Sequence, residues 1–192
     1  MQVVSGTAAG LPPGLYPQVA SYRHEVFVRR LGWQLSTPEG IELDQFDRPD
    51  TVYIIAREDD GSIAGCGRLL PTTQPYLLGD VFPQLLHGAV PPCTPDIWEL
   101  SRFCAVDLHE RVNTAMGQFS SPVTVQLLKA ALACAAAEGA QRLITVSPLG
   151  VERLLRRAGF HAHRAAPPII VDGHPLFACY IEVERCSGNA SQ

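Results

Sequence analysis

The sequence predicts a domain of mixed α/β class, in which a central mixed β-sheet is flanked by helices. Three observations support this prediction. The chain has 192 residues, the usual size of one domain. It contains 46% hydrophobic and 18% charged residues, a composition that supports a compact core. Helical and strand patterns also alternate along it. We therefore expect a single domain over residues 1–192, with its core at about 15–184.

The first helix is predicted over residues 15–30, after a flexible start. Its apolar residues recur at spacings of three and four, as in an amphipathic helix: Leu15, Val19, Tyr22 and Val26. Residues 31–50 are predicted to form a long loop, because Gly, Pro and Asp are frequent and no period is sustained. Trp33 and Phe46 in this loop favour order, so we expect it to be functional.

Strand patterns dominate the middle of the chain. Residues 51–58, 62–72 and 96–106 are rich in β-branched and aromatic residues. The turn Asp59-Asp60-Gly61 predicts that the first two runs form an antiparallel hairpin.

The last third of the chain predicts a strand between two helices and then a final strand. Alanine-rich residues 123–139 form a helix that ends at a glycine, and residues 142–147 form a buried strand. Residues 150–160 form a second helix, and residues 175–184 form the closing strand.

Composition excludes several classes of function. The net charge is −4 and the basic residues form no run, so we expect no nucleic-acid partner. No apolar stretch is long enough for a membrane span, and the N-terminus has no secretory pattern, so we expect a cytoplasmic protein. Six cysteines without a CxxC pair predict neither a disulfide framework nor a zinc site.

Two groups of residues in the first 50 suit a charged ligand. Arg23 and Phe27 lie one helical turn apart and Trp33 follows, so a guanidinium and two rings are available for a carboxylate and a cation. Asp44 and Asp47 lie close enough to converge on an amine or a sulfonium. The alternatives are a core role for the rings and a solvated acidic turn.

Charged residues also interrupt two apolar strand runs. Arg68, Glu99 and Arg102 stand where a buried charge is costly unless it is paired or used. Alternation places Glu99 and Ser101 on one face of their strand and Arg102 on the other, unless a bulge intervenes. A structural salt bridge between Arg68 and Glu99 is the alternative to a catalytic role.

Four segments together make the chain resemble the acyl-homoserine lactone synthases, also called autoinducer synthases. They are YRHEVFVRRLGW, ELDQFDRPDTVYIIARE, GCGRLLPTTQPYLLGDVFP and WELSRFCA. The resemblance extends over residues 20–182, and all of the family's characteristic positions match in residue type. These positions are Arg23, Phe27, Trp33, Asp44, Asp47, Arg68, Phe82, Glu99 and Arg102.

The resemblance implies an N-acetyltransferase-like fold, in which a thioester lies where two central strands splay apart. It also implies that the amine of S-adenosylmethionine (SAM) attacks the acyl thioester, after which the SAM carboxylate displaces methylthioadenosine (MTA) to close a lactone. SAM is a substrate, so no separate cofactor or metal is expected. Arg23, Phe27, Trp33 and the loop acids would hold SAM, together with Arg68, Phe82 and Phe103.

For catalysis we expect Glu99, Asp44, Arg102 and Ser101 to act on the reacting groups. An α-amino group has a pKa of about 8, so a carboxylate can accept its proton directly or through water. Glu99 is the first candidate for this base and Asp44 is the second. Backbone N–H groups at a bulge over residues 101–103 would stabilise the tetrahedral oxyanion.

The acyl pocket is expected at Thr145, Ser147 and Leu149, where a hydroxyl can meet an oxidised C3 atom or only its local backbone. The stretch between Cys104 and Val123 contains no Q/R-x-x-G-x-G/A pyrophosphate-binding sequence. Its absence is compatible with an acyl carrier protein as donor, and acyl-CoA stays open as the alternative. The chain length of the acyl group and the oligomeric state are left open.

Two further features have ordinary explanations. His161 and His163 lack a third metal ligand, so we expect no metal site. The basic residues Arg153, Arg156 and Arg157 form either a solvated helix face or a contact for an acidic carrier protein. Two other functions remain possible: acylation of a different amine without lactone formation, and binding without catalysis.

Overall fold

The computed structural model describes residues 1–106, 108 and 122–183. Eight strands form one sheet in the order β1-β2-β3-β4-β5-β8-β6, and β7 also pairs with β8. The strands are β1 (Gln2–Thr7), β2 (Val52–Arg57), β3 (Ile63–Pro71), β4 (Ile97–Cys104), β5 (Arg142–Pro148), β6 (Ala162–Arg164), β7 (Ile169–Val171) and β8 (His174–Glu182). The helices are α1 (Leu15–Arg23), α2 (Leu77–Asp80), α3 (Pro122–Ala137) and α4 (Val151–Arg157). The predicted α/β class with a mixed sheet is confirmed.

The first residues form a strand, so the prediction of a flexible start is wrong. β1 pairs antiparallel with β2, with Gln2 opposite Arg57 at one end and Thr7 opposite Val52 at the other. Its six residues show no clear alternation of burial. Pairing with β2 therefore determines this strand, and its own pattern does not.

The predicted first helix spans α1 and continues as a π-helical turn over His24–Arg30. Leu31 donates its backbone N–H to Val26, and Trp33 donates to Phe27 at 2.9 Å. These bonds fold the chain back at the end of the helix and bring Trp33 next to Phe27. Residues 31–50 then continue without a helix or strand, as predicted.

The predicted hairpin is confirmed as β2 and β3. They pair antiparallel, with Val52 opposite Leu69 at one end and Arg57 opposite Ile63 at the other. The expected strands at 96–106, 142–147 and 175–184 correspond to β4, β5 and β8, and residue 184 itself lies outside the described residues. Besides β1, the short elements that the sequence did not predict are α2, a 3-10 turn at Pro83–Leu86, β6 and β7.

The centre of the sheet opens where two parallel strands diverge. β4 pairs with β5 only over residues 97–99 and 142–144, although β4 continues to Cys104 and β5 to Pro148. On its other side, β4 pairs Ser101 with Arg68 and Cys104 with Cys66, so β4 has one residue more than β3 between these two pairs. β4 therefore carries a bulge beside the gap.

Apolar clusters cover both faces of the sheet. The α3 cluster lies under α3 and includes Leu69, Trp98, Leu100, Leu127 and Phe177. The opposite face carries an α1 cluster, which includes Tyr22, Val26 and Phe27, and an α2 cluster, which includes Phe46, Leu78 and Leu85. Arg68 on β3, with Glu99 and Ser101 on β4, therefore lies on the face that carries the α1 cluster and the α2 cluster.

Glycines on β3 allow this close packing. A Cβ atom on Gly65 would lie 2.9 Å from the carbonyl oxygen of Cys104, and one on Gly67 would lie 3.1 Å from the ring of Phe103. The GCG sequence thus permits β4 to approach β3 at the bulge.

No helix among residues 1–106, 108 and 122–183 has the length and apolarity needed to cross a bilayer. Most of the stretch between Cys104 and Val123, which lacks the pyrophosphate-binding sequence, falls outside the described residues.

Candidate active site

Three arginines and three carboxylates form a closed ring of alternating charge between the α1 and α2 clusters. Each carboxylate contacts two arginines, and each arginine contacts two carboxylates. Around this charge ring the order is Asp47, Arg23, Glu42, Arg102, Asp44 and Arg68. Because the charges balance, the ring can be buried at a much lower cost than isolated ions.

Two of the contacts are bidentate. The Nη1 and Nη2 atoms of Arg23 donate to the two carboxylate oxygens of Asp47 at 2.7 and 3.0 Å. Those of Arg68 donate to Asp44 at 2.6 and 3.2 Å, and Arg68 Nη1 also lies 3.1 Å from Asp47 Oδ2. Burial raises the pKa of Asp47, but the hydrogen bond and charge of Arg23, with Arg68, hold that pKa below its usual range.

Glu42 completes the ring, although the sequence reasoning overlooked it. Its side chain is fully buried, accepts from Nε of Arg23, and accepts from Nε of Arg102 at 3.1 Å. Its backbone N–H donates to Ala20 of α1. Asp50, another acid of the same loop, pairs instead with Arg48 near the surface.

Arg102 is the arginine of the ring that faces the aromatic pair. Its backbone has φ = 51°, in the left-handed region, at the bulge of β4. The bulge turns the side chain toward Ser101's face of the strand, where its guanidinium lies 5.8 Å from the ring of Phe27 and 5.6 Å from that of Trp33. Phe27 and Trp33 stack at 4.7 Å, and Trp33 is 42% exposed.

Glu99 lies beside the charge ring but is not a member of it. Its fully buried carboxylate accepts the backbone N–H groups of Leu77 at 3.0 Å and Leu78 at 2.6 Å. The alternative Arg68–Glu99 salt bridge is therefore wrong, because Arg68 bonds to Asp44 and to Ser101 Oγ at 3.1 Å. Burial raises the pKa of Glu99 to about 7, against the opposing effects of both N–H donors and of the nearby arginines.

The remaining predicted residues fall into two places. Phe82 belongs to the α2 cluster, which also contains Phe46 below Arg68. Phe103 packs against the α3 cluster on the opposite face of the sheet. The structure therefore brings Phe82 to the side of the charge ring and separates Phe103 from it.

Across the gap from the bulge, β5 carries the predicted acyl-pocket residues. Thr145 and Ser147 are buried and alternate with Ile144 and Val146, so they share the α3 face with Leu143. The hydroxyl of Thr145 contacts the carbonyl oxygen of Val146 at 3.4 Å. Leu149 follows the strand and is 41% exposed.

His163 belongs to a surface group apart from this site. Its ring contacts that of Tyr180 at a tilted angle, with centroids 5.5 Å apart, and it lies 3.8 Å from Glu182. Within the described ranges, no group of three histidine, cysteine or acidic residues has a geometry suited to a metal ion.

A mixed sheet that opens between two parallel strands, with a bulge on one of them, defines a protein of the N-acetyltransferase-like fold. A Lactobacillus plantarum protein described as an N-acetyltransferase shares this fold at a TM-score of 0.61 and 17% identity, over 95% of this chain and 98% of its own.

Sequence comparison narrows this class to one family. The family model described as "Autoinducer synthase" matches residues 15–190. An acyl-homoserine-lactone synthase of Acinetobacter nosocomialis is 56% identical over 183 residues, which cover 95% of this chain and 100% of that protein. The chain therefore belongs to the acyl-homoserine-lactone synthase family, and it is an enzyme of the acyltransferase class.

Solved structures of related synthases include ligand complexes. TofI, in a ternary complex with an inhibitor and MTA, has a TM-score of 0.81 at 44% identity, over 96% of this chain and 92% of its own. BjaI, a CoA-dependent acyl-homoserine lactone synthase with SAM and isopentyl-CoA, has a TM-score of 0.79 at 28% identity, over 95% and 82% of the two chains.

Proposed function

We propose that this enzyme transfers an acyl group from a thioester to the amine of SAM and then closes a homoserine lactone with release of MTA. The observation that carries the proposal is the buried charge ring, which lies beside the exposed Trp33. Its Arg102 comes from β4, the strand that diverges from β5 at the gap. The TofI complex with MTA and the BjaI complex with SAM and isopentyl-CoA add support from relatives.

SAM would bind where the charge ring reaches the surface. Asp44 is the most exposed acid of the ring, with 15% of its side chain accessible, so it is placed to attract the ammonium or the sulfonium. Arg102 would attract the carboxylate, and Trp33 offers a ring face to the sulfonium or the adenine. Arg23 and Asp47 are almost fully buried against each other, so we assign them to holding the ring together.

In the first step the SAM nitrogen forms a bond to the thioester carbonyl carbon, and the carbon–sulfur bond then breaks to release a thiol. The ammonium must lose a proton before it attacks. Glu99 is the preferred acceptor because a pKa of about 7 is close to that of an amine, and water would relay the proton to its buried carboxylate. Asp44, whose carboxylate binds Arg68 and Arg102, remains the second candidate.

The bulge of β4 supports an oxyanion site. In the described part of the sheet, pairing of β4 with β5 ends at Glu99, and the bulge lies between the Ser101–Arg68 and Cys104–Cys66 pairs. We assign the oxyanion site to backbone N–H groups of residues 101–103 at this bulge, with the Ser101 hydroxyl beside them.

In the second step the SAM carboxylate oxygen bonds to the carbon next to the sulfonium, and the carbon–sulfur bond breaks to release MTA. No proton is needed, since a sulfonium leaves as a neutral thioether. The protein has to hold the oxygen in line with this bond, and such positioning can lower a barrier by several kcal/mol. Arg102, Asp44 and Trp33 would provide this hold.

The acyl chain would pass through the gap toward the α3 face. Thr145 and Ser147 line β5 there, Leu149 lies at its end, and Phe103 closes the β4 side. We assign the two hydroxyls to an oxygen at C3 when the chain carries one.

We further propose an acyl carrier protein as the preferred donor. α4 begins three residues after β5 ends, so its basic face lies near the open end of the gap. Arg153 and Arg157 are exposed, whereas Arg156 is partly engaged by Glu152 at 2.8 Å. Exposed basic side chains attract an acidic carrier and speed its association.

The test is to incubate the purified protein with SAM and a panel of acyl carrier protein and acyl-CoA thioesters, and to identify the products by mass spectrometry. We expect a lactone together with MTA. An acyl amide without lactone would support acylation of amines in general, and SAM binding without turnover of any donor would support a binding protein.

Charge reversal tests the donor. The double variant Arg153→Glu, Arg157→Glu should lower kcat/KM for the acyl carrier protein about tenfold, because loss of steering slows association, and should leave a short acyl-CoA unaffected. Arg29→Glu, at a side chain 70% exposed on the π-helical turn, is the control. If the wild type, the double variant and Arg29→Glu have equal rates with the carrier protein, a carrier contact at α4 is contradicted.

A further inference from the structure

We propose that Glu99 is a positioning residue that fixes Phe82 through the backbone of residues 77–86, here called the α2 segment. This inference rests on the proposed function in one respect, the contact of Phe82 with SAM. It gives Glu99 a second task, which is separate from accepting a proton. The geometry that supports it is a continuous path of hydrogen bonds from the carboxylate to the backbone of Phe82.

The path begins at β4. The two oxygens of Glu99 accept from different residues, Oε2 from the N–H of Leu77 and Oε1 from that of Leu78. Both donors stand at the start of α2, where helical N–H groups have no partner within the helix. The carboxylate is fully buried, and it accepts both of these N–H groups.

The path continues through the same two residues. The carbonyl oxygens of Leu77 and Leu78 accept the backbone N–H of Phe82 at 3.3 and 3.2 Å. Leu85 then donates to the carbonyl oxygen of Phe82 at 3.0 Å. The position of Phe82 is therefore determined by two residues whose own N–H groups are bound by Glu99.

Other contacts hold the α2 segment in place, so a change at Glu99 affects the backbone only locally. Leu78 and Leu85 are fully buried in the α2 cluster, and Tyr76 donates to the carbonyl oxygen of Pro92 at 2.7 Å. These contacts hold the α2 segment on the sheet when Glu99 is changed. We therefore expect a variant of Glu99 to fold but to lose the exact placement of Phe82.

The first test measures the backbone directly. In Glu99→Gln the amide can accept only through its oxygen, and its NH2 group faces the second N–H donor. Because a hydrogen bond to a charged group is stronger than one to a neutral amide, hydrogen exchange of residues 77–86 should rise roughly tenfold or more. Glu138→Gln, at an exposed glutamate, is the matched control. Exchange in Glu99→Gln that equals the wild type would overturn the proposal.

The second test measures SAM affinity by calorimetry without an acyl donor, so that loss of a base has no effect. We expect Glu99→Gln and Phe82→Ala each to raise Kd about tenfold, and the double variant to bind no more weakly than Phe82→Ala. If the two increases in Kd multiply in the double variant, the path through Phe82 is contradicted. Wild-type affinity of Glu99→Gln for SAM would contradict it as well.

The two tests separate this proposal from the proposed function. If the wild-type protein does not bind SAM, the proposed function fails. The exchange of residues 77–86 then still decides whether Glu99 fixes the α2 segment.

Discussion

Glu42 and Arg102 form a buried ion pair at 3.1 Å, although they lie 60 residues apart in the sequence. Glu42 comes from the loop after the π-helical turn, and Arg102 comes from the bulge of β4. Their contact closes the charge ring and ties the loop to the sheet. The position of Arg102 at the proposed SAM site therefore depends on Glu42, which is fully buried.

Replacing Glu42 tests the charge ring. Glu42→Gln keeps the shape of the side chain but leaves Arg23 and Arg102 with an unbalanced buried charge. Breaking a buried pair in this way costs about 3–5 kcal/mol. We expect a loss of this size in the free energy of unfolding, measured with urea, and weaker SAM binding.

Asp50→Asn is the control for this change, because Asp50 is 49% exposed and pairs with Arg48 near the surface. Its effect should stay below about 1 kcal/mol. Equal losses in the two variants would show that the ring does not contribute as a unit.

The pKa of Glu99 predicts a pH dependence of stability. Its value of about 7 in the folded protein lies above the ordinary 4.5, so the folded state binds this proton more tightly than the unfolded chain. The resulting stabilisation is complete below pH 4.5 and is lost as the pH rises through 7. It is on the order of 3 kcal/mol.

Urea unfolding of the wild type and of Glu99→Gln at pH 5 and pH 8 measures this contribution. The wild type should lose more stability than the variant between the two values, since other groups contribute equally to both. Parallel curves would mean that Glu99 titrates at its ordinary pKa.

Trp33 offers a change that affects binding more than folding. It is 42% exposed and stacks on Phe27 beside Arg102. Trp33→Ala removes a ring face worth about 1 kcal/mol or more to a bound cation, so the Kd for SAM should rise about fivefold to tenfold. Ile41→Ala, at a residue 40% exposed in the same loop, should leave it unchanged. A similar loss in both variants would point to general disorder of the loop.

Much of the fold could be predicted because local signals were strong. The β2–β3 hairpin has apolar strands and a turn of Asp59, Asp60 and Gly61, and the first helix has a clear apolar period. β1 and α2 could not be predicted, because the first depends on pairing with β2 and the second has only four residues. Short elements owe their structure to tertiary contacts.

The site residues also divide into those with a local sequence signal and those that depend on tertiary contacts. Arg68 and Arg102 were identifiable because a charge within an apolar strand needs a partner. Which partner they have depends on the bulge, which turns Arg102 to the side of the loop acids. Glu42 was missed because a glutamate in a polar loop is usually exposed, and no local pattern indicates that it is buried.

The most direct measurement follows two products in one reaction. With SAM and the preferred acyl thioester, free thiol reports amide formation and MTA reports ring closure. The proposed two-step reaction predicts equal final amounts of thiol and MTA, together with the same amount of lactone. Thiol released without MTA would show that acyl transfer ends at the amide and would contradict the proposed reaction.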